Sequence, residues 1–72
     1  MKNLELKAER VRHGLTQMDV AKELDISISM YNAKENGKMR FSGEEMSKLI
    51  ELLKLDYPRF SAIFLADRQP LG

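Results

Sequence analysis

The sequence predicts an all-α fold. Three observations point there: apolar residues recur at helical spacing, strand-like alternation never persists, and helix-starting residues precede the periodic runs. Gly14, Asn36, Gly37, Gly43 and Pro58 divide the 72 residues into short segments. There is no internal repeat, low-complexity tract or interdomain linker. The chain reads as one domain over residues 1–66 and a flexible tail over 67–72, which holds Pro70.

The first segment carries apolar residues at Leu4, Ala8, Val11 and Leu15, a candidate buried stripe. Arg12 and His13 fall in its last turn, where cations suit the helix dipole, and Gly14 is the natural C-cap. Thr16 reads as the next N-cap, with Asp19 completing a partial capping box. Val20, Ala21 and Leu24 form a short apolar face. Asp25 tolerates the left-handed region, Ile26 is an apolar plug, and Ser27 is a fresh N-cap. The third helix runs from Ile28 to about Glu35 and stops at Asn36 and Gly37. Residues 38–41 form a loop. Ser42 and Glu45 make a full capping box before Met46, Leu49, Ile50 and Leu53. Pro58 opens a last helix whose inner face is Phe60, Ile63 and Phe64.

Composition narrows the function classes. Leu, Ile, Val and Phe make up about a quarter of the chain, above the roughly 20% below which chains are usually disordered. Without Cys there is no disulfide and no thiolate metal site. Apolar runs are too short to cross a membrane or form a signal segment, and the expected location is cytoplasmic. Neither a nucleophile–base pair nor a Gly-rich phosphate loop nor metal-ligand spacing is visible. A thin core leaves little room for a pocket of ~300 Å³. The sequence therefore predicts no enzyme, cofactor, small-molecule substrate or membrane partner. His13 reads as a helix-end residue, and Glu44 with Glu45 as first-turn acids. A net charge of +1 is low for a phosphate binder. Four basic and two acidic residues lie in 2–12, read as a solvated face in which Glu5 has no strong partner. Lys34, Lys38 and Arg40 form a second basic cluster, and residues 26–33 carry no charge.

Residues 16–24 and 27–35 fit a helix-turn-helix, in which small Ala21 lets the helices cross closely while Val20, Leu24, Ile26 and Tyr31 hold them together. The same pattern fits a plain helical hairpin in a small bundle. The run Gly14-Leu15-Thr16-Gln17, then Val20-Ala21-Lys22-Glu23-Leu24, Ile26-Ser27 and Lys34-Glu35-Asn36-Gly37-Lys38, resembles the Cro/C1-type helix-turn-helix family of temperate phages. Tyr31, the Lys34-to-Gly37 run and Phe41 resemble its branch in phages of Gram-positive bacteria. The resemblance covers about residues 4–65. It implies a compact, lambda-repressor-like five-helix domain with residues 27–35 as its recognition helix.

By that resemblance, bases would be met from Ser27, Ile28, Ser29, Asn32 and Ala33, and phosphates from Gln17, the helix start at Met18, and the loop residues Asn36, Lys38 and Arg40. Asp25 stands where the family most often has Gly. More telling, the base-facing positions hold one amide, two hydroxyls, an Ile and an Ala, whereas base readers usually carry Arg, Lys, Gln or Asn. Met30 is expected outward beside Ile28. Few charges with aliphatic residues and Met is the pattern of a protein interface, with Lys34, Lys38 and Arg40 as rim charges. In length and repressor-like build the chain also resembles the small modulator-of-repression (MOR) antirepressors. That resemblance implies a regulator of a lysis–lysogeny switch that binds a phage repressor and masks its DNA-facing surface. The alternative is a Cro-like repressor that binds operator DNA as a dimer.

Overall fold

The computed structural model describes residues 4–65. Five helices follow in order: α1 (Leu4–Arg12), α2 (Gln17–Leu24), α3 (Ile28–Glu35), α4 (Gly43–Leu53) and α5 (Tyr57–Phe60). The last runs on as a π-helical turn over Ser61–Leu65. The described residues contain no strand. The expected boundary at 66 and the tail at 67–72 lie outside them.

Local chemistry sets the helix limits. Thr16 Oγ1 accepts from the Asp19 N–H at 3.0 Å, and Asp19 returns the bond to the Thr16 N–H at 2.9 Å. Ser42 and Glu45 make the same reciprocal box at 3.1 and 2.8 Å. Ser27 Oγ accepts from the Met30 N–H at 3.0 Å. Each pair satisfies donors that a helix start leaves open. Asp56 caps α5 through the Arg59 N–H at 3.0 Å, a cap the Pro58 signal alone does not reveal. Helices α2 and α4 both end on left-handed side-chain residues, Asp25 at φ 60° and Lys54 at φ 51°. At the first of these stops the Asp25 N–H reaches Lys22 and the Ile26 N–H reaches Ala21.

The core gathers Leu6, Val20, Ala21, Leu24, Tyr31, Leu49, Leu53, Leu55 and Ile63. Helix α2 packs on both α3 and α4, and α1 packs on the π-helical turn. Phe41 joins the half-buried ring of Phe64 to buried Tyr31, with ring centroids 5.8 and 6.1 Å apart.

The face of α1 differs from its apolar pattern. Leu4 is 67% exposed and Val11 58%, and Ala8 is exposed too. The buried residues are Leu6, Glu9 and Arg10. Charge decides the rotation. Arg10 reaches Glu35 across the core, and Glu9 takes Arg59 Nε at 2.7 Å. Turning Leu4 and Val11 inward would carry both charged groups away from their partners. Arg10 is thus not part of a solvated face, and Glu5 does find a partner, Arg59 Nη2 at 2.7 Å.

Candidate functional site

The turn at Asp25 stands α3 across α2, with its N-terminal half facing outward. Ser27, Ser29 and Asn32 are exposed, Ile28 and Met30 are 45% and 40% exposed, and Ala33 is half-buried. Met18, at the start of α2, is 57% exposed, and Lys38 and Arg40 lie exposed in the following loop. Gln17 and Asn36 are half-buried. The expected outward placement of Ile28 and Met30 is the placement observed.

Lys34 departs from the expected rim. It is buried, its Nζ donates to Glu45 Oε1 at 2.5 Å, and it lies 5.8 Å from the Phe41 ring centroid. Glu45 therefore does more than cap α4: it also ties α4 to α3. Burial alone would raise the Glu45 carboxyl, but the bonds from Lys34 and from the Ser42 N–H hold it below its ordinary value. With Lys34 turned inward, α3 presents no ionic side chain on its outward face.

Behind that face lies a polar network that apolar periodicity does not signal. Glu35 accepts from Arg10 Nε at 2.8 Å, Arg10 Nη2 at 3.3 Å, Tyr31 Oη at 2.7 Å and Gln17 Nε2 at 2.9 Å. Arg10 also donates to the Leu15 carbonyl at 2.9 Å. Burial pushes the Glu35 carboxyl up, but its bonds from Arg10, Tyr31 and Gln17 outweigh that and leave it lowered. The bond to Glu35 raises Arg10, while burial and Glu35 push the Tyr31 hydroxyl far up. The chain continues outward: Asn32 Nδ2 donates to Gln17 Oε1 at 3.2 Å, and Asn36 Nδ2 donates to Asn32 Oδ1 at 3.0 Å. Asn32, the one amide at the predicted base-reading positions, therefore spends a donor and an acceptor on its neighbours.

A trough of about 780 Å³ opens beside this network, lined by exposed Leu4, Lys7, Met18, Ile28, Thr16 and Asn32, half-buried Leu15, Gln17 and Asn36, and buried Arg10 and Glu35. It is larger than so small a core promised, because it lies between helices on the surface rather than inside the core. No group of three or more His, Cys, Asp or Glu among the described residues could hold a metal ion. None of their helices is long and apolar enough to cross a membrane.

A helix-turn-helix family model matches residues 6–60. No curated protein and no solved structure matches.

Proposed function

The chain belongs to the Cro/C1-type helix-turn-helix family of DNA-binding transcription regulators, and we propose that it acts there as an antirepressor of a phage lysis–lysogeny switch. In this reading the outward face of α3 binds the DNA-binding domain of a partner repressor and covers the surface that would meet operator DNA. The role is regulatory and needs no catalysis.

One observation carries the reading. The outward face of α3 is uncharged and partly aliphatic, because its cation Lys34 is buried on Glu45. Phosphate attraction supplies most of non-specific DNA affinity, and this helix face contributes none. A repressor's DNA-facing surface is basic, and a helix without cations approaches it without repulsion. Ile28 and Met30 then bury on the partner as an interface core does. Ser27, Ser29, Asn32 and Ala33 complete the contact, and Gln17, Met18 and Asn36 flank it.

Exposed Lys38 and Arg40 favour a second reading, a Cro-like dimer on operator DNA. Two titrations separate them: the purified repressor DNA-binding domain, and a fluorescent operator duplex at near-physiological salt. An antirepressor forms a 1:1 protein complex and releases the repressor from the duplex. Ile28→Asp then abolishes the complex with an unchanged circular dichroism spectrum. Tight binding of the operator by this protein alone, falling steeply with salt, would overturn the proposal.

A further inference from the structure

The outward surface does not end at α3. Leu4 and Met18 are the two most exposed aliphatic side chains of the trough, and both line it together with Ile28 from α3. Three helices thus contribute one aliphatic rim. Beneath it the charges of Arg10 and Glu35 cancel at 2.8 Å, which leaves Lys7 as the remaining charge among the described lining residues. Gln17, Asn32 and Asn36 bring amides to the lining, beside Thr16 and Leu15, and with the buried pair they form its polar floor. Gln17 and Asn32 each use one N–H and one oxygen lone pair in the chain toward Glu35. An amide group has two donors and two acceptor sites, so both keep capacity of each kind.

We propose that this trough docks a helix of a partner protein that lays an uncharged amide side chain, Gln or Asn, on the floor and aliphatic side chains against Leu4, Met18 and Ile28. The proposal rests on the antirepressor reading and extends its surface to α1. The floor selects the chemistry. A neutral bed of mixed donors and acceptors pairs both ends of an incoming amide. A charged group laid there loses its water and gains no counter-ion on the floor. A duplex meets one cation, Lys7, and an aliphatic rim that offers nothing to phosphate. Amide side chains are also among those that helix-turn-helix recognition helices use to read adenine, so a repressor's reading helix that carries Gln or Asn has the chemistry the floor accepts.

The test uses the full-length protein and the purified repressor DNA-binding domain, followed by titration calorimetry and by NMR of the Leu4, Met18 and Ile28 methyl groups. Leu4→Ser changes an exposed side chain, and Gln17→Met leaves the Arg10–Glu35 pair in place; circular dichroism checks that both variants fold. The expected result is movement of all three methyl signals on binding, with each variant weakening the complex about tenfold. Replacing the amide side chains of the repressor's recognition helix by Ala then weakens the wild-type complex but not the Gln17→Met complex further. A complex that Ile28→Asp abolishes while Leu4→Ser and Gln17→Met bind like wild type, with still Leu4 and Met18 signals, overturns the trough and leaves the antirepressor reading standing. No complex with the repressor domain, alongside saturable binding of the duplex, overturns both.

Discussion

Glu35→Ala removes the acceptor at the centre of the buried polar network. The carboxylate accepts four hydrogen bonds from three side chains. Its removal leaves the Arg10 guanidinium, 8% exposed, with only the Leu15 carbonyl. An unpaired buried charge costs about 3–5 kcal/mol. The Tyr31 hydroxyl, in a residue 0% exposed, also loses its acceptor, and an unsatisfied buried group costs about 1–3 kcal/mol. The two overlap, because both groups relax into the same space, so the expected loss is about 4–6 kcal/mol. A chain of this size has only about 4–10 kcal/mol in total, so Glu35→Ala should lose a large part of its stability. Urea titration by far-UV circular dichroism measures the loss, provided the slope matches wild type. Arg10→Met in the same background should recover most of it, since a pair removed together leaves no orphan charge. A loss below about 1 kcal/mol for Glu35→Ala would refute the reasoning, because Arg10 would then have to be solvated.

Further outcomes follow from the same geometry. The Glu35 and Glu45 carboxyls are held below their ordinary value of 4.5, so their contribution is complete above that pH and fades as pH falls through their lowered folded values. Thermal melts should show the decline starting near pH 4.5, and Glu35→Gln should flatten it. Asp25 holds φ 60° with a side chain; Asp25→Gly should add about 0.5–1 kcal/mol and raise Tm by about 2–8 °C in calorimetry. Leu6→Ala should cost about 2–5 kcal/mol, while Val11→Ser stays within about 0.5 kcal/mol. Equal losses at those two positions would mean that α1 is rotated from the orientation described.

What the sequence made legible is what neighbouring residues decide. Thr16, Ser27 and Ser42 announce their helices because a cap bonds to an N–H three residues on. The outward set on α3 follows from the Ser27 cap and helical period. The face of α1 was not legible, because Leu4–Ala8–Val11 makes a better apolar stripe than the true inner face. The winning face is fixed by an ion pair 25 residues apart. Lys34 was misplaced for the same reason: its partner Glu45 had a sufficient role as a cap, and nothing in the spacing pairs the two. The trough's amide floor was hidden because Gln17, Asn32 and Asn36 meet only after α2 and α3 have crossed.

The two ionic ties of α3 both sit at one end. Lys34 is pinned to α4 and Glu35 to α1, while the first turn of the helix is held by the Ser27 cap and by Tyr31 one turn on. The helix is anchored at the heel and lightly held at the toe. Amide exchange should therefore slow along its length, fastest near Ser29 and slowest near Glu35. An incoming surface would meet the compliant end first, and the clamped end would keep that small adjustment from spreading into the aliphatic interior.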